Sequence, residues 1–419
     1  MKILNYILYS FLLLISPIFI IIILIFFKLN FLIRFVPLTS DRIGHFAANT
    51  SIYFFEKTQI QLENKFKLID FVFCQKNISN SYLKNLWETK IGLSNRQICY
   101  TMFCVLKLLS KKIKFFNKFY YDNFSLKIRD INQYIVNNNP VLSLTKDEET
   151  KGYNFLNSLG IKKNDKYVCI ISRDEKYLSE VQNQYNEIKH SYRNIDIEKF
   201  SLAAQTLTER GYYVIRMGKR AEKKFSISEK NPKIIDYTFL SNKSDFLDIF
   251  IGSNCHFCLS SGCGFDEIPI IFKRPLALIE PQISKYRSYN NKVMHIFRKY
   301  LDLEKNRILN LSELLKKNIA LITSGKDLIE KNVKLMEPDP QDILDLALDM
   351  DSFINQSFSL NSQDTENQKT FDNFYKANFN NISFKNYASK KTTQNWMLNE
   401  NFIGKISSRY LVKNKWLLS

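Results

Sequence analysis

Seven cysteines without regular spacing in 419 residues are too scattered for a disulfide framework and point to a reducing compartment. No complete Walker or dinucleotide glycine motif occurs, so a nucleotide site would have to be built another way. No internal repeat longer than a β/α alternation is found, which leaves out solenoid arrays. Charge is missing altogether between Lys2 and Lys28, and Ile18 to Phe27 is purely Ile, Leu and Phe. That length crosses a bilayer core of roughly 30 Å at about 1.5 Å per residue. No small-residue cleavage site follows it, so an uncleaved anchor over 1–28 is expected rather than a secreted signal peptide. Pro17 would kink this helix or turn it into a shallow re-entrant hairpin. Lys2 on one flank and Lys28, Arg34 and Arg42 on the other slightly favour a cytoplasmic body.

What is present describes a folded protein with room for two domains: 45% hydrophobic and 24% charged residues over 419 positions. The net charge of +19 comes mostly from dispersed lysine. It suits anionic lipid or phosphate-bearing substrates better than nucleic acid.

Phe31 to Leu38, apolar apart from Arg34, predicts a strand. It leads into Thr39 to Ser51, where Gly44 permits a tight turn beside His45 and small residues suit a helix packed on a sheet. Lys67 to Cys74 predicts a second strand and Ser79 to Trp87 a helix. Met102, Val105, Leu109, Ile113, Phe116 and Tyr120 fall at helical spacing, opposed by Lys107, Lys111, Lys114 and Lys118. Such a stripe fits an ordinary surface helix and also a helix lying on an anionic membrane.

Asn137 to Lys151 marks a linker, and a regular β/α alternation follows. Strands are expected at Tyr167 to Ile171, Tyr212 to Arg216, Lys233 to Tyr237, His256 to Leu259 and Leu276 to Ile279. Between them, Asp196 to Arg210 predicts a helix ended by Gly211, and Ser244 to Ile251 one capped by Ser244 with Gly252 beyond its end. Alternation of this kind builds a parallel sheet whose ligands sit beyond the carboxyl ends of the strands. The polar residues at those ends are Arg173, Asp174, Arg216, Asp236, Tyr237 and Ser260 to Gly262. Helices are expected over Ser312 to Ala320 and Asp342 to Met350, and the apolar stretch Phe402 to Leu418 could cross back to the first domain.

One stretch gathers these signals. After a short apolar run come Ser260, Ser261, Gly262 and Gly264, then an apolar helical segment that carries Asp266 and Glu267 and is stopped by Pro275. Backbone N–H groups left unpaired in such a loop suit a phosphate, and the two carboxylates could face ribose hydroxyls. Arg173, Arg193 and Arg216 stand near the same predicted edge and make an anion site as plausible as a set of structural ion pairs with Asp174 or Asp236. His45 could act as a general base, because its free pKa of about 6.5 lets imidazole take a hydroxyl proton at neutral pH. A hydrogen-bonded turn histidine is the plainer alternative.

Cys255, His256, Cys258 and Cys263 invite a zinc reading. On a strand, Cys255 and Cys258 point to opposite faces about 10 Å apart, beyond one tetrahedral ion, so buried thiols are expected. Asp349 and Asp351 resemble the acidic pair of metal-dependent sugar transferases, but two residues apart on a helix they face different ways. A solvated helix end is expected there, with no metal and no cofactor.

The stretches Arg42-Ile-Gly-His-Phe-Ala-Ala-Asn49, Asn77-Ile-Ser-Asn80, His190-Ser-Tyr-Arg-Asn194, Gly211 to Gly218, Ile235-Asp-Tyr237 and Ser260-Ser-Gly262, in this order, resemble a family of bacterial glycosyltransferases of surface-polysaccharide synthesis. The resemblance implies a GT-B-like α/β fold: two Rossmann-like domains facing a cleft, preceded by an N-terminal transmembrane helix. It divides the chain into an anchor (1–28), an acceptor domain (29–145), a nucleotide-sugar domain (146–335) and a helical tail (336–419). It implies a nucleoside-diphosphate sugar donor, a glycan or lipid-linked acceptor, and a place at the cytoplasmic membrane without nucleic-acid partners. The Ser-Ser-Gly loop with Asp266 and Glu267 is also similar to the nucleotide turn of UDP-N-acetylglucosamine 2-epimerases, although the following glycine is displaced to Gly264. A sugar-nucleotide epimerase and a non-catalytic basic membrane or nucleic-acid binder are the alternatives.

Overall fold

The computed structural model describes residues 2–63, 66–121, 130, 132–176, 191–281, 283, 292–322, 324–357, 361–381 and 405–418. The chain divides into two compact units, Met1–Leu142 and Ser143–Ser419.

In the first unit the apolar run forms one helix, α1 (Lys2–Lys28), with Pro17 inside it. No hairpin forms. Proline offers no N–H to the carbonyl of Leu13, and the Ser16 hydroxyl donates to that oxygen instead, at 2.8 Å. Strand β1 (Phe31–Leu38), helix α2 (Ile43–Glu63) and strand β2 (Lys67–Cys74) then make a β-α-β unit, with β1 and β2 parallel. Among the described residues these are the unit's only named strands, so the sheet is smaller than the resemblance implies.

Arg34, the one charge in β1, lies directly opposite Asp70 in the register. Its Nε and Nη2 each donate to a carboxylate oxygen of Asp70 at 2.8 Å, and Tyr53 donates to the same carboxylate at 2.6 Å. The guanidinium stacks over Tyr121, which donates to Glu56. Arg34 is therefore a buried, fully engaged ion-pair partner and not a flanking charge that orients a membrane helix.

Helices α3 (Ser81–Ile91) and α4 (Arg96–Ser110) follow. Each opens on an asparagine: Asn80 accepts from the N–H of Leu83, and Asn95 from those of Gln97 and Ile98. The α4 helix starts earlier and ends earlier than the lysine stripe suggests. It buries Cys99, Met102, Phe103 and Leu106, while Lys114–Phe119 continues as a 3₁₀ turn.

The second unit is built on a seven-stranded sheet among the described residues. Its strands are β3 (Tyr167–Ile171), β4 (Tyr213–Arg216), β5 (Ile234–Asp236), β6 (Phe257–Ser260), β7 (Leu276–Glu280) and β8 (Val293–Phe297), with β12 (Lys405–Ile406) at the edge. The order is β12-β8-β7-β6-β3-β4-β5 and every pairing is parallel. Every residue of β3, β6, β7 and β8 is buried, as a sheet covered on both faces requires. A small antiparallel sheet of β9 (Tyr300–Asp302), β10 (Arg307–Ile308) and β11 (Val333–Leu335) stands beside it.

Helix Asp245–Asn254 runs through Gly252 instead of stopping there. A Cβ at Gly252 would come within 2.9 Å of Phe265 and 3.0 Å of Ile268, so this glycine serves close packing against the segment after β6. Gly211, with φ of 93°, does end its helix as expected.

Lys405 and Ile406 pair with Met294 and His295 of β8, and helix Ser408–Lys413 packs on helix Pro340–Ile354. The latter helix presents Asp342, Asp345 and Asp349 on one face. Asp342 accepts from Asn414, Asp345 pairs with Lys413, and Asp349 accepts from Ser407 at 2.7 Å and from the Nε of Arg409 at 2.8 Å. Asp351 turns the other way, to Arg210 at 2.7 Å, Tyr212 and Asn355. Asp349 and Asp351 thus form a buried ion-pair anchor instead of a solvated helix end.

Candidate functional site

From β3 the chain moves outward to β4 and β5, then returns to place β6 on the other side of β3. Neighbouring connections therefore leave the sheet in opposite directions between β3 and β6. In an open parallel sheet this reversal opens a crevice at the carboxyl ends of the two strands. Here those ends carry Ser172-Arg173-Asp174 and Ser260-Ser261-Gly262.

The two ends are laced together. The Ser261 N–H donates to the carbonyl of Ile171 at 3.0 Å, and the Arg173 N–H donates to the Ser261 hydroxyl at 2.8 Å. A third segment, Ser191 to Ile195, closes over them. The Ile195 N–H donates to the carbonyl of Arg173 at 3.2 Å, the Ser172 hydroxyl donates to the carbonyl of Ile195, and the Arg193 Nη2 donates to the carbonyl of Gly262 at 2.7 Å. Gly262 has φ of 74°, the left-handed region that favours glycine, and a Cβ there would lie 3.4 Å from Pro281.

The lacing leaves the hydrogen bonding of Arg173 incomplete. Its Nε and Nη2 are buried and have no hydrogen-bond partner among the described residues. A buried guanidinium with unused donors strongly favours an anionic acceptor at that point.

Arg216 behaves differently. It donates to Asp236 at 3.0 Å and to the carbonyl of Lys223 at 2.7 Å, and Asp236 also accepts from the N–H of Phe225 at 2.7 Å. This is a structural ion pair with Asp236, one of the two readings the sequence left open. It ties the ends of β4 and β5, whose register puts the two residues opposite each other.

The carboxylates after the loop face inward. Asp266 is fully buried and accepts from the Ser260 hydroxyl at 3.0 Å, and that hydroxyl accepts the Gly262 N–H at 3.1 Å. Asp266 therefore braces the loop from behind. Glu267 is buried as well, whereas Gly264 is exposed. The N–H groups of Ser261 and Gly262 are already used within the protein, so the loop offers fewer free donors than its sequence suggests.

The cysteines are free, and burial pushes the thiols of Cys169 and Cys258 well up, with Cys263 at about 12. Nearby Asp266 adds to the shift of Cys263. His256, at the start of β6, has its pKa lowered to about 4 by burial.

In the first unit, His45 and Gly44 lie in the first turn of α2, His45 half-buried and Gly44 buried. The turn expected at Gly44 is made earlier, by Ser40 to Arg42. Fully buried Ser40 holds the loop: its hydroxyl accepts from the Gln75 N–H at 2.9 Å, and its carbonyl accepts from the Ser79 N–H at 2.8 Å. His190 lies outside the described residues.

Arg298 was not singled out from the sequence. Buried after β8, it donates to the carbonyls of Met336 at 2.6 Å, Tyr192 at 2.7 Å and Leu335 at 3.2 Å. Desolvation lowers its pKa to about 10. It fixes the segment that carries Arg193. An arginine directly after an apolar strand, the signal that picked out Arg173 and Arg216, also occurs here.

No family model matches the sequence, and no curated protein matches it. Among solved structures, the chain is similar to E. coli ADP-heptose LPS heptosyltransferase II, at 11% identity and a TM-score of 0.44 over 78% of this chain and 99% of that one. It is also similar to a glycosyl transferase family 9 protein of Veillonella parvula DSM 2008, at 10% identity and a TM-score of 0.38 over 72% of this chain and 96% of that one.

Proposed function

We propose that the chain is a membrane-associated glycosyltransferase of GT-B type whose second unit binds a nucleoside-diphosphate sugar at the β3–β6 crevice. The observation that carries the reading is Arg173: two buried donors with no partner among the described residues, at the reversal point of a parallel sheet. In this reading Arg173 receives the diphosphate, Arg193 closes the Gly262 loop over it, and Ser261 holds the backbone of Arg173 in place. Arg216, Asp236 and Asp266 position the loops, and the diphosphate charge falls to arginine and not to a metal.

The reaction forms a bond between an acceptor hydroxyl oxygen and the anomeric carbon and breaks the bond from that carbon to the diphosphate. Negative charge builds on the leaving diphosphate, where preorganised donors act most strongly. His45 is assigned as the base that takes the acceptor proton. The acceptor is a surface-polysaccharide or lipid-linked glycan.

The test is thermal-shift titration of the full chain in detergent with UDP-, GDP-, dTDP-, CMP- and ADP-sugars. One of them should raise the melting temperature at millimolar concentration, and Arg173→Ala should abolish the rise. No rise with any of them overturns the donor reading. Turnover of free sugar nucleotide without an acceptor would identify an epimerase, and a His45→Gln enzyme of unchanged transfer rate would remove His45 as base.

A further inference from the structure

Helix α1 has two apolar faces, and among the described residues only one is covered. Leu12, Ser16 and Ile23 are buried, with Phe19, Ile20, Leu24 and Phe27 packed against the core of the first unit. Phe11, Leu14, Ile18, Ile21, Ile22 and Ile25 repeat at helical spacing on the opposite side and are exposed. Contact with the unit extends along most of the helix. Near one end Tyr9 receives a hydrogen bond from Arg96 at 3.3 Å, and near the other Phe27 packs 5.4 Å from Phe115 and 5.5 Å from Phe119.

This contact bears on how the helix meets a bilayer. A helix spanning the hydrocarbon core would draw α4 and the edge of the β1–β2 sheet in with it. Open strand edges and irregular loops exposed to lipid leave backbone polar groups unsatisfied, and such arrangements do not occur. A helix lying in the plane of the interface meets no such cost, because its covered face stays on the protein and only the stripe enters the lipid. The charge near the end of α1 is basic. Lys28, Lys111, Lys112, Lys114 and Lys118 are exposed, and no Asp or Glu occurs between Arg96 and Tyr121. Lys118 sits 5.4 Å over the rings of both Phe27 and Phe115, so the basic turn adjoins the end of α1.

We infer that α1 is an in-plane anchor and that, together with the Lys111–Lys118 turn, it seats the first unit on an anionic bilayer without crossing it. This deepens the membrane part of the proposed function and does not depend on the donor site.

Two measurements on the full chain decide it. With tags at both termini, protease added to sealed membrane vesicles should remove both tags or neither, because an in-plane helix leaves both ends on one side. Removal of one tag alone would show that α1 crosses the bilayer and would overturn the inference. In flotation with vesicles of phosphatidylcholine or of phosphatidylcholine with one-third phosphatidylglycerol, the protein should prefer the anionic vesicles. The combined K111Q/K112Q/K114Q/K118Q variant, with an unchanged melting temperature, should lose that binding by about tenfold or more. Equal binding to both vesicles, or no loss in the variant, overturns the charge assignment. If Ile18→Glu splits a dimer in solution and leaves flotation unchanged, the stripe is covered by a second copy and the inference fails. Loss of donor binding in any of these variants would bear on the transferase reading alone.

Discussion

Arg193 reaches across from its own segment to donate to the carbonyl of Gly262 at 2.7 Å, making the Ser-Ser-Gly loop and the Ser191–Arg193 turn one rigid rim of the crevice. Arg193 thus commits its Nη2 to the protein, while Arg173 beside it keeps Nε and Nη2 buried with no partner among the described residues. The first prediction follows from that difference.

Arg173→Ala should weaken nucleoside-diphosphate binding by about tenfold or more, the worth of charge-assisted hydrogen bonds. Its melting temperature should hold or rise, because the change removes a half-buried cation whose Nε and Nη2 have no partner among the described residues. Calorimetric titration with a bound nucleoside diphosphate checks the first part and thermal unfolding the second. Unchanged affinity would remove Arg173 from the site.

Arg216→Ala should act in the opposite sense. It leaves Asp236 buried without its cation, and truncating one partner of a buried pair costs about 3 kcal/mol or more. Urea unfolding should register that loss whether or not nucleotide is present.

Gly262→Ala should cost about 1–3 kcal/mol, because alanine must adopt φ of 74° close to Pro281. Affinity for the donor should fall as well, since the Gly262 carbonyl sets the position of Arg193. A variant with wild-type stability and affinity would show that the loop relaxes freely.

Asp248 gives the pH dependence. Burial raises its pKa to about 6 from 3.8, with Tyr237 as a hydrogen-bonding neighbour. A carboxyl whose folded pKa is raised binds its proton more tightly in the folded state. Its unfavourable contribution is therefore full above about pH 6 and fades as pH falls towards 3.8. Asp248→Asn should raise stability at pH 7.5 by up to about 3 kcal/mol, with the gain vanishing near pH 4. A gain independent of pH would assign the effect to packing.

Asp349→Ala should loosen helix Ser408–Lys413 from helix Pro340–Ile354, since one carboxylate serves Ser407 and Arg409 together. A loss of about 2 kcal/mol is expected, because Arg409 stays partly solvated. Limited proteolysis should cut near residue 405 sooner than in the wild type.

The strands of the second unit were legible because a sheet covered on both faces needs short, wholly apolar runs, and those of β3 and β7 stand out between polar loops. The two-residue β12 carries no such run and owes its place to β8 and to the aspartates of helix Pro340–Ile354. Arg173 and Arg216 look alike in sequence, each an arginine at the end of a buried strand. What separates them is register: Asp236 arrives beside Arg216 through β5, a neighbour set by tertiary structure. Gly252 looks like a helix stop, and only the approach of Phe265 and Ile268 shows that it is a packing position. The covered and uncovered faces of α1 were invisible for a simpler reason, since both are apolar.

The edge strand β12 is drawn from Lys405–Ile406, close to the last described residue. During synthesis β8 is made more than a hundred residues before its outer neighbour, so its edge is open while the ribosome is still at work. The second unit therefore completes its sheet only after the long segment between β8 and β12 has been made. Before then it depends on not pairing with other nascent chains. Loss of the segment that carries β12 should appear first as poor yield and aggregation in the cell, before any purified protein can be assayed.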